Sequence, residues 1–346
     1  MKVRGYAAMK AHAPLAPWEF ERRDLGAHDV ALDIKYSGIC HSDIHQAREE
    51  WGPAIFPMVP GHEIVGVVSS VGSAVTKFKV GELIGVGVFV DSCRTCDSCK
   101  RGLQQYCIEG MTGTYNQLER DGKTPAMGGY SNIMVINEDY AVRIPKNLPL
   151  EGVAPLLCAG ITLYSPIKYW KAGPGKKVAV MGLGGLGHMG VKFAAALGAE
   201  VTVFSHSPTK EADAKAMGAH HFVSTKSEDF HKKYNKHFDL VLNTVSAELD
   251  INIYLSMLNV DGTLVVIGLP GKPYAVEAGS LLPARRSLSG SMIGGIAEMQ
   301  EMLNFCGEKN IVSDVEVIKA DYINQAYDRT VASDVKYRFV IDATTF

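Results

Sequence analysis

Between residues 177 and 267 the sequence alternates between short apolar runs and longer stretches with helical periodicity. Helices are predicted between the apolar runs, the first ending near Leu197, the second near Met217 and the last near Leu258. Alternation at this spacing is typical of a parallel sheet with helices on both faces, so we predict an α/β, doubly wound domain here. The predicted strands are 177–181, 201–204, 221–223, 238–242 and 263–267, with a further helix between the third and fourth.

A glycine-rich turn follows the first of these strands and opens the first helix. It fits the pattern G-x-G-x-x-G, in which the first glycine permits a tight turn, the second lets the backbone approach a pyrophosphate, and the third allows close packing of helix and strand. An ordinary glycine-rich turn is the alternative, but the strand–turn–helix context favours dinucleotide binding. The predicted cofactor contacts in this turn are Gly182, Gly184, Gly185, Leu186 and Gly187.

The end of the second strand indicates which dinucleotide is bound. NAD-binding domains place an acidic residue here to hold the adenine ribose. This chain instead has Ser205, His206 and Ser207, followed by Lys210, and no carboxylate lies between positions 200 and 211. Hydroxyls and a cation suit a 2′-phosphate, so NADP is predicted over NAD. A solvated helix N-terminus capped by Ser207 is an alternative that is compatible with this prediction.

Four cysteines in a polar loop, Cys93, Cys96, Cys99 and Cys107, have the spacing of a metal site. Four thiolates so close together in a loop with little apolar content predict a closed tetrahedral, structural zinc site. An iron–sulfur cluster is the competing interpretation, but the fourth cysteine is distant and Ile108 follows it where a ferredoxin pattern has proline. Four unrelated buried thiols are a weaker alternative, because cysteines in a reducing compartment are commonly ligands.

Metal-binding side chains also occur outside that loop. Two thiolates and one imidazole leave a fourth position for water or substrate, which is typical of a catalytic zinc. A single histidine or buried cysteine is more often a packing residue, but the conjunction with a nucleotide-binding domain favours ligation. We predict Cys40, His62 and Cys158 as the ligands, from a set that also contains His41, His45 and Glu63.

Length and charge limit the possible partners. A chain of 346 residues exceeds the size of one hydrophobic core, so two domains are expected. Lys and Arg number 35 against 37 Asp and Glu, which argues against nucleic acid and against a polybasic membrane contact. The first residues lack the features of a secretory signal, and no long apolar run predicts a membrane span. We therefore expect a cytoplasmic protein whose seven cysteines serve metal binding or catalysis.

Six segments of the chain resemble the zinc-dependent medium-chain alcohol dehydrogenases, and more narrowly the cinnamyl-alcohol-dehydrogenase-like aldehyde reductases. The resemblance implies a GroES-like, β-rich catalytic zinc domain built from residues 1–150 and 291–346, a Rossmann cofactor-binding domain at 151–290, and a homodimer. The matching segments are 38–43 (GICHSD), 60–66 (PGHEIVG), the four-cysteine loop, 155–162 (PLLCAGIT), the glycine turn and 290–295 (GSMIGG).

The resemblance also implies roles around the catalytic zinc. Glu63 is implied as a fourth ligand that exchanges with water, and Asp43 as the carboxylate that fixes the tautomer of His62. Ser42 and His45 match the proton relay of the family.

The same resemblance implies the cofactor and substrate contacts. Trp51 and Ile293 are expected at the substrate pocket. The positions expected near the nicotinamide and its ribose are Thr162, Asn243, Thr244, Gly268 and Ile293.

The implied function is the reversible, NADPH-dependent reduction of small aldehydes, aromatic and cinnamyl ones included, to primary alcohols, with two zinc ions per chain. Zinc would act as a Lewis acid on the aldehyde oxygen. An NAD-dependent polyol or secondary-alcohol dehydrogenase is an alternative. A non-catalytic, nucleotide-bound zinc protein is a more distant one.

Overall fold

The computed structural model of the chain describes residues 1–227 and 229–346. It divides into two compact units: unit 1 comprises Met1–Ile161 and Gly294–Phe346, and unit 2 comprises Thr162–Ile293. The family resemblance implies boundaries after residues 150 and 290, so residues 151–161 and 291–293 fall on the other side of the observed division. Residues 151–161, Cys158 among them, group with unit 1 because the segments Leu150–Val153 and Ala154–Leu157 pack against its strands.

The helices and strands are numbered here in chain order. The strands are β1 (Lys2–Ala7), β2 (Ala16–Glu21), β3 (Asp29–Gly38), β4 (Ile64–Val71), β5 (Leu83–Val86), β6 (Phe89–Asp91), β7 (Thr112–Gly113), β8 (Ile133–Asn137), β9 (Val142–Arg143), β10 (Lys177–Met181), β11 (Glu200–Ser205), β12 (His221–Ser224), β13 (Phe238–Asn243), β14 (Leu258–Val266), β15 (Ser287–Gly290), β16 (Val315–Ile318) and β17 (Arg338–Asp342). The helices are α1 (His41–Ala47), α2 (Asp97–Lys100), α3 (Leu150–Val153), α4 (Ala159–Tyr169), α5 (Gly187–Ala196), α6 (Glu211–Ala216), α7 (Ile251–Ser256), α8 (Ala278–Leu281), α9 (Ile296–Lys309) and α10 (Ile323–Val331).

Unit 1 is built on a mixed sheet with the strand order β16-β17-β3-β4-β5-β9, and β8 pairs with β3 outside this path. β17, near the end of the chain, pairs antiparallel with β3, so that Val340 lies opposite Gly38. The C-terminal segment therefore completes the sheet that the N-terminal segment begins. The end of β3, which leads directly into α1, is covered on one side by this late strand.

Unit 2 confirms the predicted doubly wound α/β fold. Its six strands are all parallel and follow the order β12-β11-β10-β13-β14-β15. The direction of the strand order reverses between β10 and β13, and the crevice at the carboxyl ends of such strands is where this fold binds its ligands. One face of the sheet buries Phe204 in a cluster of rings contributed by Tyr234, Phe238 and Tyr254.

Some predicted elements differ from the structure. The helix expected between residues 223 and 238 is a short 3-10 turn at Lys232–Tyr234 in the described part of that segment, where Tyr234 turns its ring into the aromatic cluster. Outside unit 2, short alternating apolar runs predict strands at 30–36, 64–68, 83–90, 140–144 and 337–341. The one at 83–90 is split into β5 and β6, and the one at 140–144 shrinks to Val142–Arg143, preceded by a 3-10 turn. The strands β1, β2, β7, β8, β15 and β16 were not predicted.

Among the described residues, no single helix is long and apolar enough to cross a membrane. The segments Leu150–Leu157 and Ala159–Tyr169 together meet a test of length and composition, with a bend of 58° between them. Most of their apolar side chains are buried in the protein.

Candidate functional site

Four predicted ligand residues converge in unit 1. One ligand atom from each of Cys40, His62, Glu63 and Cys158 lies within 4.8 Å of the others, and all four residues are buried. Cys40 lies between β3 and α1, immediately before the first residue of α1. His62 and Glu63 immediately precede β4, and Cys158 lies between α3 and α4. The two sulfurs are 4.0 Å apart. This arrangement brings together residues that are separated by up to 118 positions in the sequence.

The imidazole of His62 is held in one orientation by Asp43. Its Nδ1 lies 3.0 Å from Oδ1 of Asp43, which as a carboxylate accepts the N–H, so the lone pair belongs to Nε2. That Nε2 is buried and has no hydrogen-bond partner within residues 1–227 and 229–346, and the same holds for Oε2 of Glu63. Buried polar atoms are normally satisfied. Two thiols, one unpartnered imidazole nitrogen and one unpartnered carboxylate oxygen therefore fit a bound zinc ion.

The electrostatics of the group favour a thiolate at Cys40. The hydrogen bond with Cys158 lowers the pKa of the Cys40 thiol well below its usual range, and His62 and Arg338 act in the same direction. The same bond, with Cys158 as donor, raises the pKa of Cys158. Burial lowers the pKa of His62, but the Asp43 carboxylate raises it by more. A divalent cation among these atoms would neutralise both sulfurs at once.

Sequence reasoning missed Arg338, which pairs with Glu63. Nη2 of Arg338 lies 2.5 Å from Oε1 of Glu63 and 2.8 Å from the carbonyl oxygen of Ile39, and both charged residues are buried. Burial raises the pKa of Glu63 to about 8, against the lowering effect of the guanidinium. Burial lowers the pKa of Arg338, but Glu63 and the nearby thiols raise it by more. Glu63 is thus anchored by one oxygen, while the other has no hydrogen-bond partner among the described residues.

The remaining predicted catalytic residues lie on or just after α1. Oγ of Ser42 is 3.6 Å from the sulfur of Cys40. The ring of His45 stacks on Trp51 with 4.7 Å between centroids, and its Nδ1 bonds to Glu50, a residue that sequence reasoning did not select. Trp51 remains partly exposed beside this imidazole.

The four cysteines of the polar loop form the second ligand group. Their sulfurs all lie within 4.8 Å of one another. Backbone N–H groups point at these sulfurs: the amide of Cys96 lies 3.4 Å from Sγ of Cys93, and the amide of Cys93 lies 3.4 Å from Sγ of Cys107. Backbone donors from Cys96 and Thr95 lower the pKa of Cys93 to about 6. Burial raises the pKa of Cys99 to about 11, so a bound cation would be needed to hold all four sulfurs as thiolates. Four converging sulfurs are suited to a closed tetrahedral zinc site.

In unit 2 the glycine turn has the geometry expected of a dinucleotide loop. Gly182 has φ +88°, a conformation that favours glycine, and it joins β10 to the turn. A Cβ on Gly187 would lie 2.0 Å from the carbonyl oxygen of Gly182, whereas one on Gly184 would meet open space. The turn is therefore closely packed at Gly187 and accessible at Gly184. Gly185 and Leu186 complete it before α5 begins.

The residues at the end of β11 are connected to this turn. Nζ of Lys210 donates to the carbonyl oxygen of Leu183 at 2.9 Å, and the amide of Ser207 donates to Oγ of Ser205 at 3.2 Å. Ser205 is buried, whereas His206 is exposed. A cation and hydroxyl groups thus lie beside the glycine turn.

The other predicted cofactor residues are distributed around the ends of β13 and β14. Asn243 is fully buried, and its amide donates to Oη of Tyr274 at 2.9 Å, so its side chain is already engaged by protein. Oγ1 of Thr244 donates to the carbonyl oxygen of Met181. The backbone amide of Gly268 donates to the backbone carbonyl oxygen of Asn243. Thr162 lies in α4, and Ile293 has φ +40°, which is rare for a β-branched residue.

The comparisons with known proteins agree with both units. Residues 26–146 match the alcohol dehydrogenase GroES-like domain, and residues 185–308 match the zinc-binding dehydrogenase family. The NADP-dependent alcohol dehydrogenase C 1 of Mycolicibacterium smegmatis is 57% identical over 344 residues, covering 99% of this chain and 98% of that protein. This chain belongs to the zinc-dependent alcohol dehydrogenases.

Other members of the family are similar over their whole length. The aldehyde reductase YahK of Escherichia coli is 50% identical, covering 100% of this chain and 99% of that protein. Among solved structures, the CAD of Helicobacter pylori complexed with NADP(H) has a TM-score of 0.93 at 42% identity, with 99% of each chain covered.

Proposed function

We propose that this chain is an NADPH-dependent zinc alcohol dehydrogenase that reduces aldehydes to primary alcohols and catalyses the reverse reaction. The observation that carries the proposal is His62: its Nδ1 is held by Asp43, and its buried Nε2 has no partner in the described chain and lies among two thiols and a carboxylate. The same chain carries a dinucleotide turn on a parallel sheet. The names of the relatives support both the reaction and the cofactor.

Cys40, His62 and Cys158 would hold the catalytic zinc, and Glu63 would be the exchangeable fourth ligand. When bound, zinc supplies a Lewis acid that polarises an aldehyde oxygen, and NADPH supplies the hydride. Arg338 keeps Glu63 in place through Oε1. The four cysteines of the polar loop would hold a second, structural zinc. We assign residues 1–161 and 294–346 to the catalytic zinc domain and residues 162–293 to the cofactor domain.

Ser42 and His45 are proposed to deliver the proton. Ser42 is adjacent to the ligand group, and His45 lies three residues further along α1, where side chains share one helix face. Since Nδ1 of His45 bonds to Glu50, its Nε2 is the nitrogen that exchanges a proton with the Ser42 hydroxyl. Glu50 then holds the imidazole in that orientation. Trp51 packs on the same ring and is proposed to line the entrance for substrate.

NADPH is proposed over NADH because the end of β11 offers no carboxylate to the adenine ribose. Lys210, already placed against the glycine turn, would contact the 2′-phosphate together with Ser205 and Ser207.

We also propose that the enzyme is a cytoplasmic homodimer. β15 is an edge strand of the unit 2 sheet, and Leu282 just before it is 79% exposed, which supports association along this edge. The grouping of six cysteines into two ligand sets supports a reducing compartment. Light scattering giving a mass of one chain would exclude the dimer.

The function is tested with a panel of aldehydes, from short aliphatic to cinnamyl, assayed with NADPH and with NADH at equal concentrations. The proposal predicts turnover with NADPH and an alcohol product. A clear preference for NADH, with polyols or secondary alcohols as the better substrates, would favour the NAD-dependent alternative. Tight NADPH binding without turnover of any aldehyde or alcohol would favour a non-catalytic protein.

A further inference from the structure

The carboxylate of Asp43 accepts four hydrogen bonds in the interior of unit 1. Oδ1 accepts from Nδ1 of His62 at 3.0 Å and from the amide of Gly61 at 3.1 Å. Oδ2 accepts from the amide of Cys40 at 2.9 Å and from Oη of Tyr130 at 3.0 Å. Each oxygen therefore has two donors, which is the full capacity of an ionised carboxylate. Three donors belong to the segments that carry the ligands, and only Tyr130 comes from elsewhere.

The segment around Tyr130 is joined by backbone hydrogen bonds to the segment that carries His62. The amides of Gly128, Gly129 and Tyr130 donate to the carbonyl oxygens of Val59, Gly61 and Pro60, at 2.7, 2.8 and 2.9 Å respectively. This close approach requires a glycine at position 128, because a Cβ there would lie only 2.3 Å from the carbonyl oxygen of Pro60. The two segments are therefore in direct backbone contact, and the hydroxyl of Tyr130 has a fixed position relative to the Asp43–His62 pair.

Arg22 holds the Tyr130 segment from its other side. Its guanidinium donates to the carbonyl oxygens of Met127 and Gly128, both at 2.8 Å, and to that of Ile133 at 2.7 Å. These bonds fix the loop without contact to the ligand group itself. The position of Tyr130 is thus set by the fold and not by the metal.

The hydroxyl of Tyr130 donates its hydrogen bond to Asp43. Tyr130 is fully buried, and the hydroxyl of Tyr327 donates to it at 3.5 Å, so the Tyr130 oxygen acts as acceptor there and as donor to Asp43. On the other side, Tyr115 stacks on the His62 ring with 5.8 Å between centroids. The two members of the Asp43–His62 pair are each restrained by a tyrosine.

We infer that Tyr130 is a positioning residue for the catalytic metal: its hydroxyl donates to Oδ2 of Asp43 and so helps to fix the carboxylate that orients His62. Without this bond, Oδ2 would keep a single donor in a site that water does not reach, and the carboxylate would lose part of its rotational restraint. The inference rests on the proposed zinc site at Cys40, His62 and Cys158. It adds a residue that touches neither metal nor substrate.

The test compares Tyr130→Phe with the wild-type protein and with Tyr164→Phe, which removes the hydroxyl of another buried tyrosine, in unit 2. Zinc release to a chromogenic chelator is followed over time, and cysteine alkylation with peptide mass analysis reports which ligand set has been vacated. Loss of a residue that orients a metal ligand typically costs about 10–100-fold in metal affinity. One of four bonds is lost here, so we expect release from the Cys40 set to be about 10-fold faster, with the four-cysteine set unchanged.

A spectroscopic readout separates positioning from general destabilisation. In cobalt-substituted protein, Tyr130→Phe should shift the visible d–d bands of the catalytic site, whereas Tyr164→Phe should leave them unchanged. Wild-type release rates and bands in Tyr130→Phe would overturn the inference, as would equal acceleration at both cysteine sets. Absence of metal from the Cys40 set in the wild-type protein would instead overturn the proposed function.

Discussion

Replacing Arg338 by methionine should strongly destabilise unit 1, because it leaves the carboxylate of Glu63 buried without its partner. The unfolding measurement is made at pH 9, above the pKa of about 8 of Glu63, so that its carboxyl group is ionised in the wild-type protein. The guanidinium is 5% exposed and Glu63 is fully buried, so water cannot take over the solvation of the charge. Removing one member of a buried ion pair typically costs about 3–5 kcal/mol, and the carbonyl oxygen of Ile39 also loses its donor. We expect a loss of about 3–5 kcal/mol in the free energy of unfolding.

The assay is urea unfolding followed by tryptophan fluorescence, since Trp18 and Trp51 both lie in unit 1. Adding Glu63→Gln to Arg338→Met removes the uncompensated charge and should recover about 2 kcal/mol, the coupling expected of contacting residues. Arg120→Met is the matched control in unit 1, because it breaks an exposed ion pair with Glu109 and should cost no more than about 1 kcal/mol. If Arg338→Met is as stable as the control, or if the double variant is no more stable than Arg338→Met, Arg338 does not compensate a buried charge on Glu63.

Two further predictions concern other parts of the chain. Lys210→Ala should raise the KM for NADPH by about 10-fold with little effect on the KM for NADH, because it removes a cation from the proposed 2′-phosphate contact; equal effects on both cofactors in steady-state assays would contradict this. Burial raises the pKa of Glu138, but the backbone amides of Lys77 and Thr76, with His28, lower it by more, so its folded-state pKa is depressed. Its contribution to stability is therefore present above the ordinary pKa near 4.5 and is lost as pH falls through the depressed value. The stability difference between wild type and Glu138→Gln, measured by urea unfolding, should shrink with acidification; a constant difference from pH 7 to pH 3 would contradict it.

The fold of unit 2 could be predicted from the sequence because strands buried on both faces appear as continuous apolar runs. The first strand, Lys177–Met181, was predicted with its observed bounds. The expected helix near Lys232–Tyr234 was wrong because tertiary packing of Tyr234 outweighs local preference. Short strands such as β16, with four residues, are too brief for a periodic signal.

The proposed ligand residues could be selected from the sequence because the four loop cysteines have a characteristic spacing, and because Cys40, His62 and Cys158 supply the two thiolates and one imidazole typical of a catalytic zinc site. Tyr130 and Arg338 could not be, because their residue types carry no such signal and their contacts are distant. Arg338 meets Glu63 across 275 positions, and Tyr130 meets Asp43 across 87. Such contacts arise only when the last strand and the loop before β8 have folded onto β3 and β4.

Cys40, His62 and Cys158 are proposed to hold the zinc on which turnover depends, separately from the four-cysteine site. This proposal is tested most directly by measuring zinc content and NADPH-dependent aldehyde reduction in Cys40→Ser, with NADPH affinity followed by fluorescence. We expect two zinc ions in the wild-type chain, one in the variant, no turnover, and nearly unchanged NADPH binding. Two zinc ions in the variant, or activity close to wild type, would contradict it.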